Sequence, residues 1–305
     1  VSAALAAIDC GTNTVKLLVQ DGGGADLVRT ARMVRLGQDV DRTGRLAEEA
    51  LDRTFAAVDE YAALLREHAV DPARTRFCAT SATRDAANAD VFRAGVLARL
   101  GVEPEVLSGT EEAALAFAGA VRHLAVEPAL PVLVVDVGGG STELVLGESL
   151  SAGPSAAHSM DVGSVRLHER HVRSDPPTDA EVAAVLADVD AALDACPVDP
   201  AAAATVVGVA GTVTTLAAGV LDLPAYDREA IDQAVLDVDA VHALVARLVS
   251  MTRAERLALP WMHPGRADVI GAGALVVGRV LERSGASALL VSESDILDGI
   301  AWSIR

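Results

Sequence analysis

Aromatic side chains are nearly absent, with two Trp, two Tyr and four Phe among 305 residues. A core must therefore be assembled from Ala, Val, Leu and Ile, which suit layered α/β folds. Cysteine appears only as Cys10, Cys78 and Cys196. Three scattered thiols exclude a disulfide framework and a zinc site, and they read as small buried hydrophobes. Lysine occurs once, at Lys16, and every other formally cationic side chain is an arginine. Long apolar runs are missing as well. The longest, residues 269–278, is far short of the ~20 residues a bilayer crossing needs. The apolar segment 3–8 lacks a basic flank and ends in Asp9, so it reads as a buried strand rather than a signal peptide. A cytoplasmic protein with no membrane partner is expected. The chain opens on Val1, and removal of an initiator or tag is expected there.

Basic charge is also in short supply. Forty-three Asp and Glu face 25 Lys and Arg, a net charge of −18. That balance excludes nonspecific nucleic-acid binding, which needs a broad basic face. An anionic ligand would have to be met locally, by backbone amides, a metal ion and a few aimed guanidinium groups.

What the chain does have is hydrophobic residues, 51% of the total, over a length that suits two domains better than one. Apolar runs and their punctuation predict strands over 5–9, 15–20, 27–36, 76–80, 105–107, 131–136, 142–146, 205–210 and 289–291. Three- and four-residue spacing predicts helices over 46–67, 83–100, 110–124, 238–250, 267–283 and 296–304, with another opening at 213 after a Gly211-Thr212 turn. Thr178 and Glu181 have the spacing of a capping box. Alternating strands and helices make the chain α/β.

One internal repeat organises it. The segment Asp9-Cys-Gly-Thr-Asn-Thr-Val-Lys16 aligns without gaps to Asp136-Val-Gly-Gly-Gly-Ser-Thr-Glu143, at a constant offset of 127 residues. Each copy is an apolar strand, an Asp-x-Gly turn, a hydroxyl residue and a second apolar strand, the mark of a duplicated unit. Such a turn, Gly11–Thr14 or Gly138–Thr142, can aim several backbone N–H groups at one phosphate without net positive charge. The Asp before each turn, Asp9 or Asp136, can help hold Mg²⁺, which takes a few carboxylates together with phosphate oxygens. Read singly, Asp-x-Gly is also simply a tight turn. Two copies in register favour the phosphate reading.

Other residues carry weaker signals. Gly211 and Thr212 stand between a strand and a helix, and a helix N-terminus is a further anion site. In Ser108-Gly-Thr-Glu111-Glu112-Ala113 the paired carboxylates either complement the helix dipole or activate a water. Arg84 at a strand-to-helix junction, and Arg266 in His263-Pro-Gly-Arg266-Ala-Asp, are placed where a guanidinium takes phosphate oxygens bidentately or makes a surface ion pair equally well.

Four blocks occur together and in order: Ile8-Asp-Cys-Gly-Thr-Asn-Thr, Ala79-Thr-Ser-Ala-Thr-Arg-Asp, Ser108-Gly-Thr-Glu-Glu-Ala and Val135-Asp-Val-Gly-Gly-Gly-Ser-Thr-Glu-Leu. In combination they resemble the exopolyphosphatase/guanosine pentaphosphate phosphohydrolase (Ppx/GppA) family, from Ala6 to Ser303. The segments from Gly208 and from His263 further resemble the short actinobacterial-type exopolyphosphatases.

The resemblance implies two ribonuclease-H-like domains of the actin-like, sugar-kinase-like superfamily (ASKHA), with an interdomain cleft. The expected division is 1–122, completed by the helix within 293–305, and 123–292. It implies a Mg²⁺-dependent hydrolase of phosphoanhydride bonds, usually a homodimer. Glu112 matches the catalytic base and Glu143 a second carboxylate near the attacking water. Asp9 and Asp136 match metal and phosphate carboxylates. Gly11, Thr12, Asn13 and Thr14 match one phosphate loop, and Gly138, Gly139, Gly140, Ser141 and Thr142 the other. Lys16, Arg84 and Arg266 match basic substrate positions.

Two residues depart from the family pattern. Lys16 stands where Arg is usual, and Ala114 stands where many relatives have Arg. Both bear on chain-length preference more than on reaction type. The chain ends at Arg305, where long relatives carry further domains, so shorter chains or a nucleotide are the expected preference.

The expected function is exopolyphosphatase activity, with inorganic polyphosphate as substrate and orthophosphate as product. The alternative within the same chemistry is removal of the 5′ phosphate of guanosine pentaphosphate. Two more distant readings are a sugar or acetate kinase of the same superfamily and a non-catalytic nucleotide-binding relative of actin.

Overall fold

The computed structural model describes residues 3–151 and 153–304. In chain order the strands are β1 (Leu5–Cys10), β2 (Thr14–Gln20), β3 (Asp26–Met33), β4 (Thr75–Ala79), β5 (Glu105–Val106), β6 (Val132–Val137), β7 (Thr142–Gly147), β8 (Ala156–Met160), β9 (Thr205–Val209), β10 (Val235–Asp237) and β11 (Ala288–Val291). The helices are α1 (Val40–Thr43), α2 (Glu48–Glu67), α3 (Ser81–Arg84), α4 (Ala89–Leu100), α5 (Gly109–Val121), α6 (Ser164–His171), α7 (Asp179–Ala195), α8 (Ala210–Val220), α9 (Arg228–Ile231), α10 (Val238–Ser250), α11 (Arg253–Leu257), α12 (Ile270–Ser284) and α13 (Ile296–Ser303). They fall into two compact units, Val1–Gly119 with Ile296–Arg305, and Ala120–Asp295.

The first unit is built on a sheet of order β3-β2-β1-β4-β5. β2 runs antiparallel to β1 and to β3, and β4 runs parallel to β1 and β5. The strand β1 is buried along its whole length, as a central strand with two covered faces must be. Its side chains alternate. Ala6, Ile8 and Cys10 join the core with Val58, Tyr61 and Phe92 of α2 and α4. Leu5 and Ala7 join the core with Ala116 of α5 and Ile296, Leu297 and Ile300 of α13. By the two-residue period of a strand, Asp9 continues the second face. The helix α13 is fixed there by an Arg29–Asp298 ion pair, with one N–O distance of 3.1 Å and Asp298 only 2% exposed. Gly299 lets the helix lie directly on α5, since a Cβ at that position would meet the Leu115 carbonyl oxygen at 2.0 Å.

The second unit repeats the plan. Its sheet order is β10-β11-β9-β6-β7-β8. Read from β8, the strands β8-β7-β6-β9-β11 have the same order and directions as the first sheet, with β10 added antiparallel at the edge. Two sheets of this ribonuclease-H-like order make the chain α/β. Leu133, Val135, Val137 and Leu144 face a core shared with α6, α7, α8, α10 and α12, so Asp136 and Glu143 lie on the opposite face.

The expected elements differ from the structure in several places. The single helix over 83–100 is two helices, α3 and α4. Asn88 interrupts it because its side chain accepts from Leu46 N (2.8 Å) and donates to Leu46 O (3.0 Å). The third strand stops at Met33 rather than 36, because Val34 and Arg35 both turn their amides onto Asn13 O (3.0 Å each), with Arg35 at φ 51. Gly211 and Thr212 lie inside the first turn of α8, which starts at Ala210, a left-handed residue at φ 62. β8, α6 and β10, and the short helices α1, α9 and α11, were not expected at all. The Thr178–Glu181 capping box is present at the start of α7.

Candidate active site

The two glycine turns are built alike. In the first, Gly11 N donates to Thr14 O at 3.0 Å, and in the second Gly138 N donates to Ser141 O at 3.0 Å. In each, the outer carbonyls are tied back to a later segment. Gly37 N donates to Thr12 O (2.8 Å), and Val34 N and Arg35 N to Asn13 O. In the second unit, Ser164 N donates to Gly138 O (2.9 Å), Val165 N to Gly139 O (2.8 Å) and the Arg166 guanidinium to Gly140 O (2.7 Å). The C=O and N–H of one trans peptide point in opposite directions. Holding those carbonyls back therefore turns the next amides outward: Asn13 and Thr14 in one turn, Gly139, Gly140 and Ser141 in the other. This is the arrangement that receives phosphate oxygens. Gly37 and Gly163 allow the holding segments to come so close. A Cβ on Gly37 would meet the Thr12 methyl at 2.2 Å, and one on Gly163 the Gly139 carbonyl oxygen at 2.6 Å.

The Asp at the end of each first strand is buried, Asp9 at 4% exposure and Asp136 at 8%. The residue across the hairpin differs in charge. Asp9 is in register with Lys16 and the two form an ion pair at 3.3 Å. Asp136 is in register with Glu143, which is 1% exposed and accepts a 2.6 Å hydrogen bond from the Ser159 hydroxyl on β8. Two carboxylates directly opposed on a ladder repel each other. Oxygen-only donors of this kind fit a hard divalent cation. Mg²⁺ is commonly held by one or two carboxylates together with substrate phosphate and water.

The vicinal acids of α5 differ in their surroundings. Glu111 is exposed and turns back to Ser108, accepting from its N–H (3.0 Å) and its hydroxyl (2.7 Å). Those bonds hold its carboxyl below the usual range. Glu112 is buried, on the same helix face as Ala116 one turn later. That places it on the side of the sheet that Asp9 faces. Arg84 donates to the Glu112 carboxylate and to Leu107 O, each at 3.1 Å, and so fixes the acid from outside the helix.

In the second unit, Thr212 in the first turn of α8 donates to Val137 O at 3.0 Å, tying that helix start to the end of β6. The Arg266 guanidinium lies on Gly211, where a Cβ would come within 2.4 Å of its Cζ. Some hydroxyls are committed to the protein itself. Thr142 donates to Val162 O (2.7 Å), and the Thr12 and Ser81 hydroxyls lie 2.9 Å apart. Within each unit the candidate residues gather: Asp9, the 11–14 turn and Lys16, with Glu112 and Arg84 on α5 and α3; and Asp136, the 138–142 turn, Glu143, Gly211, Thr212 and Arg266. Sequence reasoning missed Gly37, Gly163, Arg166 and Ser159. All four act through contacts between segments distant in sequence. The one available signal was a glycine in an otherwise unremarkable loop.

The pattern of the Ppx/GppA phosphatase family matches residues 18–304. The chain belongs to that family. It is 47% identical to Exopolyphosphatase 2 of Mycobacterium tuberculosis, across 98% of both chains. The crystal structure of an exopolyphosphatase-like protein superposes with a TM-score of 0.93 at 43% identity, covering 98% of each chain. An exopolyphosphatase structure from Cytophaga hutchinsonii superposes at 0.90 with 28% identity, covering 99% of this chain and 97% of that one. Membership makes the chain a phosphoanhydride hydrolase of the Ppx/GppA type. No helix among the described residues is long and apolar enough to cross a membrane.

Proposed function

We propose that this protein is an exopolyphosphatase that hydrolyses the terminal phosphate of inorganic polyphosphate. The observation that carries the substrate is the 47% identity to Exopolyphosphatase 2 from end to end. The site geometry supports the chemistry. The outward amides of the 11–14 and 138–141 turns, with Lys16 and Arg266, take the phosphate oxygens, which is how a chain of net charge −18 accommodates a polyanion. Glu112, oriented by Arg84, receives a proton as water attacks the terminal phosphorus. The anhydride P–O bond breaks, releasing orthophosphate and a chain one unit shorter. Glu143, which accepts from the Ser159 hydroxyl, is the second carboxylate assigned to catalysis. Asp9 and Asp136 are the residues that would hold Mg²⁺, which when bound neutralises charge on the phosphate oxygens.

A second reading, hydrolysis of guanosine pentaphosphate, is favoured by the family match, which covers both activities. Phosphate release from long and short polyphosphates and from guanosine pentaphosphate, with and without Mg²⁺, separates the two. A higher kcat/KM on the guanosine substrate would replace the first reading with the second. Glu112→Gln is expected to lower kcat by about 10²–10⁴-fold while tripolyphosphate binding persists. Full activity in that variant would remove Glu112 from its role. A homodimer is part of the proposal, on the family resemblance, and sedimentation checks it. A cytoplasmic location is supported by three free cysteines, two of them buried.

A further inference from the structure

The segment that carries Arg266 is held by a second arginine. Among the described residues Arg256 is the only basic side chain that is buried, at 3% exposure. A guanidinium taken out of water must have its donors met, and here backbone carbonyls meet them. Arg256 Nε and Nη2 donate to Met251 O at 3.2 and 2.9 Å. Its Nη1 donates to Ala267 O at 2.8 Å and to Asp268 O at 3.2 Å. One carboxylate, Asp175, lies 3.7 Å from Nη2, but it is half exposed and accepts from Arg253 N at 2.7 Å. The fork therefore ties the end of α10 to the stretch that leads into α12. Arg256 itself stands on α11, whose first turn is closed by the Thr252–Glu255 capping box.

The Ala267 and Asp268 carbonyls belong to the two residues after Arg266. The Arg266 carbonyl accepts from Val269 N at 3.0 Å and from Ile270 N at 2.8 Å, and its N–H donates to His263 O at 2.9 Å. The backbone at Arg266 is thereby fixed, and its side chain runs to the start of α8. The guanidinium lies on Gly211, and its Nη1 donates to Thr215 Oγ1 at 3.0 Å. The Thr215 hydroxyl donates onward to Gly211 O at 2.6 Å, so its lone pair faces the arginine. A side chain of that length reaches one place reproducibly only when its own backbone is held.

We propose that Arg256 is a positioning residue for substrate binding: by bridging Met251 O to the Ala267 and Asp268 carbonyls, it fixes the loop that aims the Arg266 guanidinium at a phosphate group of the polyphosphate chain beside Gly211. It touches neither the substrate nor the reacting atoms. This role rests on the exopolyphosphatase reading, which makes Arg266 a phosphate ligand. The shape of the guanidinium matters here more than its charge. One edge of the fork reaches Met251 and the other reaches Ala267 and Asp268, a span that a single lysine ammonium does not cover.

The test uses Arg256→Lys and Arg256→Met in the intact protein, each in wild-type and Arg266→Met backgrounds, with native helix content checked by circular dichroism. Polyphosphate hydrolysis and calorimetric binding of tripolyphosphate are the readouts. Both substitutions are expected to raise KM about five- to tenfold with kcat within about twofold, and to weaken tripolyphosphate binding by a similar factor. In the Arg266→Met background the same substitutions should change KM by less than about twofold. Wild-type KM in Arg256→Lys overturns the proposal. So does an equal KM rise in both backgrounds, since the effect would then not pass through Arg266. Failure of both variants to fold overturns it too, because Arg256 would then serve the fold and not the site. Wild-type KM in Arg266→Met alone would remove the positioning role and leave the exopolyphosphatase reading intact. A wild-type protein that binds tripolyphosphate in an Arg256-dependent way yet hydrolyses no polyphosphate would sink that reading and leave the positioning role standing. Absence of both binding and hydrolysis would remove both.

Discussion

The two hairpins share a backbone and differ in charge. Both close with the same 3.0 Å glycine hydrogen bond, and both have their carbonyls drawn back by a segment that passes over a glycine. Across the first, Asp9 faces Lys16, and the two form an ion pair. Across the second, Asp136 faces Glu143, and two buried acids oppose each other. Duplication thus kept the amide-presenting device and changed what stands beside it. The first hairpin sets unlike charges across its ladder, and the second sets two carboxylates across it, whose mutual repulsion a bound cation would lower.

The largest expected effect comes from the glycines under the holding segments. Gly163→Ala drives a Cβ into the backbone of Gly139 and Gly140. It should cost about 3 kcal/mol, read as a lower urea midpoint, with phosphate release lost. Gly37→Ala meets the Thr12 methyl at 2.2 Å, with the Thr12 and Ala82 Cβ atoms beyond 3 Å, so adding Thr12→Ser, which removes the offending methyl, should restore much of its stability. A Gly37→Ala protein that Thr12→Ser does not rescue would mean that the two hairpins are held by different means.

Next, Lys16→Glu makes the first hairpin a charge copy of the second. It should destabilise by about 2 kcal/mol, again read in urea. A smaller and opposite effect is expected from Glu143→Gln. Removing one of the two opposed acids should raise stability by about 0.5–1 kcal/mol, read as a higher urea midpoint, while phosphate release falls at least about tenfold. Lower stability in that variant would show that the acids are not in conflict.

The smallest effect lies away from both hairpins. The amides of Thr178, Arg173 and Ser174 hold the Glu181 carboxyl down to about 2, against 4.5 for an unperturbed glutamate. The ionised group therefore adds stability that is fully present above pH 4.5 and lost as pH falls toward about 2. The amide resonances of those three residues should follow that titration, and Glu181→Gln should abolish it.

Much of this architecture was legible because it is local. Each β-turn-β unit is contiguous, so its apolar strands, Asp and glycines stand together in the sequence and reveal the repeat. The capping box of α7 could be read for the same reason. The break between α3 and α4 could not, because the Asn88 side chain bonds Leu46, in a segment distant along the chain. β8 escaped because Ala156-Ala-His-Ser-Met is poor in β-branched residues and only half buried. Its Ser159 could be connected to Glu143 only once the register of β7 and β8 was known. Tyr226 and Glu293 lie far apart along the chain, and only the folding of the second unit brings them together.

The crossing of α13 over α5 bears on how this protein is made. Gly299 sits on the Leu115 carbonyl, and Ile296, Leu297 and Ile300 cover the face of β1 that Leu5 and Ala7 present. On the ribosome the whole second unit emerges before that cover exists. The helix that carries Glu112 is therefore clamped only after its neighbour has had time to fold. Until then the nascent first unit exposes a greasy, half-finished surface, and a chaperone that shields it would be guarding the step that makes the catalyst competent.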